Sequence, residues 1–417
     1  MSKFTVFIIQ SRVGSSLNLP FEELAKEHNA NLVLIADRTV LDEIENRNWG
    51  GFFVGSVEVG TAFEYQNVLE KMEEYLEQSD LKGPEDYAIV TSNESKVSLC
   101  GRLRVHFGHS DINLDHFVFK DQMKDFAVKH DIKVPAFFSI DKEQCVNDTE
   151  AFVHRVEKEI GFPAFIKPLN MFAAKFCTKI ENTDDLIRWV SSSTDIDQDL
   201  EFEIESFVDA PLYLCDALMY NGEIKYQQIC LYSRPCNDIH TNPTLGWITI
   251  SENDPHFAAM DDFCTKINSS FMANTSGVTH LEFFLKDGEP IFLEIAYRPN
   301  GVIPDELHTA RAGIPMRTAH FTSQLKNPVI YEPKLSEYGV TMIFNYPQEP
   351  ATLKSIEMCE LNSEYDVSWY CKPGDDLPTN SGFDGYGGVA MVHNTDFEKL
   401  QEDFRRFEGF TPFILES

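Results

Sequence analysis

The stretch that most restricts the fold runs from Gly277 to Gly301, GVTHLEFFLKDGEPIFLEIAYRPNG, where two apolar runs flank the turn residues Lys286-Asp-Gly-Glu289. This pattern predicts an antiparallel hairpin centred near Gly288. A register symmetric about that glycine puts Leu281, Phe283 and Leu285 on one dry face with Ile291, Leu293 and Ile295. The opposite face then carries His280, Glu282 and Phe284 beside Phe292, Glu294, Ala296 and Arg298. In that register Glu282 and Glu294 oppose one another, with Cβ atoms about 5 Å apart, where like charges destabilise the pair. A cation between them removes the conflict. Two carboxylates from neighbouring strands suit Mg²⁺, which takes one or two carboxylates and completes its octahedron with water and phosphate oxygens. Phe284 and Phe292 on the same face argue against simple solvation. Arg298, two steps further along, is placed to hold an oxyanion or phosphoryl oxygen by a charge-assisted bond.

The rest of the chain alternates strands and helices. Phe4–Ile9, Leu32–Ile35 and Tyr87–Val90 read as strands, and residues 62 to 76 carry an amphipathic helical period. Residues 1–115 therefore read as a parallel α/β domain whose ligands sit at the carboxyl ends of strands. Its first strand-to-helix turn holds only Gly14, so no dinucleotide fingerprint is present and a nicotinamide dehydrogenase is disfavoured. Residues 116–205 begin with a helix from about Lys120 and continue with an apolar strand, Phe162–Pro168, then a loop and a strand near Phe176–Ile180. Lys167 and Lys175 flank that loop, as a grip on phosphates would require. Phe202–Asp209 alternates like a strand and offers backbone groups from Glu205 to Val208 to an adenine edge. Residues 206–330 are strand-rich, with Asn221-Gly222 as a hairpin turn. Residues 331–417 mix strands with a final helix, for which Thr395 and Glu398 propose a capping box. His308 and Arg311 fall on a helix after Pro304-Asp305, where surface placement is preferred over approach to a substrate carboxylate.

At 417 residues the chain is long enough for two or three domains. Thirty-five Lys plus Arg against 67 Asp plus Glu leave a net charge of −32, a field that repels phosphate backbones and anionic lipid. Nucleic-acid and membrane-surface roles are disfavoured. No apolar run is long enough to cross a bilayer, the N-terminus lacks signal-peptide order, and a cytoplasmic location is expected. Nine scattered cysteines without a CxxC pair predict reduced thiols rather than disulfides or structural zinc.

Five segments in order resemble the ATP-grasp superfamily, over about Thr91 to Gly301: Phe119-Lys-Asp-Gln-Met-Lys124 with Ile132-Lys-Val-Pro135; Gly161-Phe-Pro-Ala-Phe-Ile-Lys-Pro168; Ile204-Glu-Ser-Phe-Val-Asp209; Leu281-Glu-Phe-Phe284; and Phe292–Gly301. The resemblance implies an α/β (α+β) architecture with an N-terminal parallel domain, a mobile lid subdomain and a C-terminal antiparallel-sheet domain. It also implies that Lys120 and Lys167 contact ATP phosphates, beside the Lys175 read above from its place across the loop, and that Glu205, Ser206 and Val208 line the adenine pocket. Glu282 and Glu294 would bind Mg²⁺, or Mn²⁺ in its place, and Arg298 would stabilise the reacting oxyanion. Glu94, His280, Asn300 and Gly301 become substrate contacts. Family chemistry is ATP-dependent activation of a carboxylate as an acylphosphate, which an amine then attacks; the partners are small molecules, and a homodimer is allowed. Three positions depart from the family pattern: Leu169–Ala174 lacks the usual glycines, Ala296 replaces an Asn, and Leu212 stands where a ribose-binding Glu often does. Ala296 and His280 are similar to the dipeptide-forming L-amino acid ligases. The rival reading is a nucleotide-binding protein of the same fold that has lost catalysis.

Overall fold

A computed structural model describes residues 3–11, 19–110, 114–171, 175–192, 200–301 and 306–416. Strands Thr5–Gln10, Asn31–Ala36, Phe53–Glu58 and Tyr87–Val90 form a parallel sheet in which the first strand lies between the second and the last. Three of these strands, all but Phe53–Glu58, are buried on both faces, as their near-continuous Val, Ile, Leu and Phe content requires. Helices Arg38–Asn46, Tyr65–Glu77 and Val97–His106 cover it. The Phe53–Glu58 strand has no counterpart in the sequence reading, because Gly55, Ser56 and its exposed edge interrupt the apolar run.

A second, antiparallel sheet orders Phe137–Ile140, Phe202–Ser206, Ala164–Pro168 and Thr178–Ile180. The period of two divides its residues sharply. Ile166, Phe202 and Ile204 pack with Phe152, Leu186 and Trp189 of the helices behind. Phe165 and Lys167 pair with Glu205 and Glu203, so these four side chains share the other face. One of the covering helices, Thr183–Ser192, starts where Asn182 Oδ1 accepts from the Asp185 N–H at 3.1 Å.

The third sheet is the largest. Its eight antiparallel strands run in the order Glu289–Ala296, Gly277–Lys286, Leu212–Tyr220, Glu223–Tyr232, Thr244–Thr249, Tyr338–Phe344, Gly388–Asn394 and Glu364–Trp369. Strands from residues 331–417 therefore complete the sheet begun by residues 206–330. Helix Phe257–Phe271 lies on one face against Leu281, Phe283 and Phe292. The Asn221-Gly222 turn joins two strands with both residues at positive φ, 48° and 81°. In the final helix, Phe397–Arg406, the cap differs from the expected box: Asp396, not Thr395, accepts from the Glu398 and Lys399 N–H groups. Aspartate reaches those donors from the position one residue closer.

The 277–301 hairpin departs from symmetry in an informative way. Its turn is the two residues Asp287 and Gly288, at φ 53° and 81°, and Lys286 pairs with Glu289. Continued unchanged, that register would set Leu281 against Glu294 and send the carboxylate into the core. A bulge at Leu293 adds one residue: Phe283 pairs with Phe292, whereas Glu282 pairs with Glu294. Phe292 therefore joins the core, and Leu293 turns outward together with Glu294. The faces expected for Phe292 and Leu293 are exchanged, and Ile291, paired with Phe284, also leaves the core side, while the opposition of the two glutamates is kept.

Candidate functional site

A cleft of about 380 Å³ separates the four-stranded antiparallel sheet from the face of the large sheet that carries Glu282. Lys120, Lys167, Lys175, Glu205 and Val208 line it, and so do Glu282, Phe284, Leu293 and Glu294. Phe165 and Phe207 offer aromatic surface on one wall, and Leu212 and Phe284 face the same space. Ser206 is not among the lining residues; its N–H donates to Ala136 O at 2.9 Å within the sheet. The segment 172–174 of the expected phosphate loop, and Gly14, lie outside the described residues.

Next to the cleft is a chamber of about 20 Å³, room for roughly one water. Glu94, His280, Ala296 and Arg298 line it, and it shares Lys120 and Glu294 with the cleft. Arg298 donates from Nε and Nη2 to Glu94 Oε2, at 2.9 and 2.7 Å, and from Nη1 to Pro299 O at 3.0 Å. Asn300 is buried and Gly301 exposed, and neither is among the lining residues of cleft or chamber.

Lysine 167 belongs to a buried cluster of four charges. Its Nζ lies 2.8 Å from Glu205 Oε1 and 3.6 Å from Glu203 Oε1, and Lys124 pairs with the same two carboxylates. Burial alone would lower the Lys167 ammonium, but Glu205, Glu203 and Glu294 together outweigh it and hold it above its usual range. Glu205 shows the converse balance: burial opposes its charge, yet Lys124 and Lys167 bring it down to about 2. Lys124 stands one helical turn beyond Lys120, and Glu203 precedes Glu205 by one pleat, so a shared buried face was implicit in those spacings. Neither residue was singled out from sequence.

Lys120 donates to Met171 O at 2.7 Å and lies 3.4 Å from Glu294 Oε2. Burial works against ionisation of Glu294, but the neighbouring Lys120 and Lys167 hold it below the ordinary carboxylate range. Glu282 is anchored through one oxygen. Its Oε1 accepts from Tyr232 Oη at 2.7 Å and lies 3.5 Å from His280 Nε2. Cys236 and Cys177 also face the cleft, and burial pushes both thiols up, Cys177 to about 11, so both stay protonated. Among the described residues no cluster of three or more His, Cys, Asp or Glu forms a protein-only metal cage. The donor set fits Mg²⁺ instead: two ionisable carboxylates opposed across the strands of one hairpin, with the remaining positions left to water and phosphate.

His308 and Arg311, expected at the surface, are 2% and 4% exposed. Their helix, Glu306–Ala312, packs on the large sheet, where His308 Nε2 lies 3.0 Å from Asp216 Oδ2 and Arg311 Nε donates to Gln228 Oε1 at 3.2 Å. Asp216 was also missed, although a single acid within the apolar run Leu212–Tyr220 was a signal available in the sequence.

No profile of a known protein family matches the chain. A D-alanine–D-alanine ligase of Natranaerobius thermophilus is 25% identical over 114 residues, 27% of this chain and 30% of that relative's length. Solved structures match over nearly their whole length. The L-amino acid ligase of Bacillus licheniformis superposes with a TM-score of 0.73 at 14% identity, covering 100% of this chain and 99% of that one. N5-carboxyaminoimidazole synthetase of Staphylococcus aureus, solved with ADP, gives 0.65 at 16% identity and 97% coverage of both chains. The biotin carboxylase domain of the Hydrogenobacter thermophilus 2-oxoglutarate carboxylase, solved as a dimer with magnesium ADP and bicarbonate, gives 0.65 at 12% identity, covering 100% of this chain and 91% of that one.

Proposed function

From the premise that the chain has the ATP-grasp fold of the carboxylate–amine ligases, we propose that it is an ATP- and Mg²⁺-dependent ligase, ADP-forming, that activates a carboxylate as an acylphosphate and joins it to an amine. The carboxylate is taken to be that of an amino acid. The observation that carries this reading is the bulged hairpin: it aims Glu282 and Glu294 into one cleft with Lys120 and Lys167.

In this reading Glu282 and Glu294 hold the cation, which supplies charge neutralisation between a triphosphate and an anionic acid. Lys120 and Lys167 bind phosphate oxygens, while Glu205 and Glu203 keep Lys167 charged and fixed. Phe165, Phe207, Leu212, Phe284 and Leu293 enclose a flat base. Carboxylate oxygen attacks the terminal phosphorus and ADP leaves; amine nitrogen then attacks the acyl carbon, phosphate leaves, and the surplus proton passes to solvent. Arg298 faces the chamber where negative charge builds up on the reacting oxygens.

Arg298 is already bound by Glu94, and the chamber holds about one water. Substrate entry in this scheme must therefore loosen that pair. The same observation, with Ala296, favours the second reading, a nucleotide-binding protein without turnover. A phosphate-release screen of amino-acid pairs with mass detection of products separates the two. Amine-dependent phosphate release that disappears in Glu294→Ala, with the fold retained by circular dichroism, is expected; nucleotide binding without release from any pair would favour the second reading. Small-molecule partners follow from either reading. No helix among the described residues is long and apolar enough to cross a membrane.

A further inference from the structure

Behind Glu282 runs a chain of buried polar side chains that the proposed reaction leaves unused. His280 and Asp216 are direct cross-strand partners, and His280 Nδ1 lies 2.7 Å from Asp216 Oδ1. The other oxygen of Asp216, Oδ2, is 3.0 Å from His308 Nε2, and His308 Nδ1 is 3.3 Å from Tyr226 Oη. On the near side His280 Nε2 points to Glu282 Oε1 at 3.5 Å. All five residues are buried, with Asp216 1% and His308 2% exposed.

The hydrogen-bonding inventory fixes the direction of this chain. Asp216 is a carboxylate and can only accept, so His280 donates from Nδ1 and His308 from Nε2. His280 therefore cannot rotate its ring without leaving Asp216 Oδ1 unsatisfied in a dry interior. Its Nε2, which can donate only when the ring carries both protons, is consequently held 3.5 Å from Glu282 Oε1, an ion-pair distance. With Tyr232 on the same oxygen at 2.7 Å, Oε1 of Glu282 is occupied by protein, and no hydrogen bond among the described residues takes Oε2.

We propose that Asp216 is a positioning residue for the metal ligand: by holding His280 it fixes Glu282 so that only Oε2 is presented to the cation, and His308 ties this arrangement to the helix at Glu306–Ala312. The inference rests on Glu282 binding the nucleotide's metal, as argued above. Groups that hydrogen-bond to metal ligands typically control about 10- to 100-fold of metal affinity when removed.

The test is equilibrium uptake of Mn²⁺, read by electron paramagnetic resonance, in the full chain saturated with a non-hydrolysable ATP analogue. Asp216→Asn keeps the size but offers a single acceptor oxygen, and His308→Gln removes the distal tie while leaving Asp216 and His280 in place. Expected are a loss of Mn²⁺ affinity of about tenfold or more in Asp216→Asn and a smaller loss in His308→Gln. Affinity for the analogue in the absence of metal should be unchanged in both, and Tyr226→Phe should match the wild type. Wild-type Mn²⁺ affinity in Asp216→Asn overturns the inference and leaves the functional reading standing. If Asp216→Asn fails to fold, His308→Gln decides, and wild-type affinity there overturns the inference. A wild-type chain that takes up no Mn²⁺ with the analogue overturns the functional reading and this inference with it.

Discussion

Lys167 differs from an ordinary phosphate-binding lysine in what surrounds it. A lysine at a strand end before a loop is a modest signal in sequence, and only the structure shows that Lys124 and two glutamates enclose it. Lys167→Ala is therefore expected to act twice. ATP's KM should rise about tenfold or more, and stability to urea should fall by roughly 3–5 kcal/mol, since breaking a buried charge pair leaves an uncompensated carboxylate. A raised KM with unchanged stability would show that the four charges do not act as one unit. Residue types and local spacing made Glu282, Glu294, Lys120 and Lys167 legible. Lys124, Glu203 and Asp216 carried only local hints, because their importance lies in which buried group each one meets, and those partners are 36 to 92 positions away in the chain.

Strands and helices were legible where one physical rule governed them. Apolar runs gave the parallel strands, and Asn221-Gly222 gave its turn through two residues that tolerate positive φ. The bulge at Leu293 followed no such rule. Turn and register were read as a single symmetric unit, whereas the two-residue turn and the extra residue each shift the pairing by one, in a way that preserves the opposition of the glutamates. The bulge places Leu293 beside Glu294 on the cleft wall. Deletion of Leu293 should keep Glu282 opposite Glu294 in an unbulged hairpin, so metal dependence persists. The wall loses one apolar side chain, worth roughly 1.5–3 kcal/mol if fully buried, and ATP's KM should rise about tenfold. Steady-state kinetics at varied ATP and Mg²⁺ check this: lost metal response with unchanged ATP KM would assign the bulge to the glutamates instead.

At the scale of the molecule, the parallel sheet and the large sheet meet through His320. Its Nδ1 accepts from the Val278 N–H at 3.0 Å and its Nε2 donates to Thr91 O at 2.9 Å, which requires a neutral ring. Burial pushes His320 down to about 4. The unfolded chain, with an ordinary histidine near 6.5, then binds more protons than the folded one between those values. The brace is thus fully stabilising above about pH 6.5 and is lost as pH falls toward 4, by up to roughly 3 kcal/mol. Thermal melts across pH 4 to 7 should show that fall. His320→Gln, which keeps a donor and an acceptor without titrating, should flatten it; an equal slope in the variant would assign the acid sensitivity elsewhere.

The floor of the cleft has one more implication. Leu212, Leu214 and Phe284 rest in the same apolar cluster as Ile343, Val389 and Met391, and the strand at Thr244–Thr249 pairs with Tyr338–Phe344. During synthesis, a nascent chain that has reached residue 301 has every candidate ligand but lacks Leu307, Ile343, Val389 and Met391 from the cluster beneath them. Shortening the polypeptide from its carboxyl end, even well beyond the acidic hairpin, should remove nucleotide binding altogether rather than trim it.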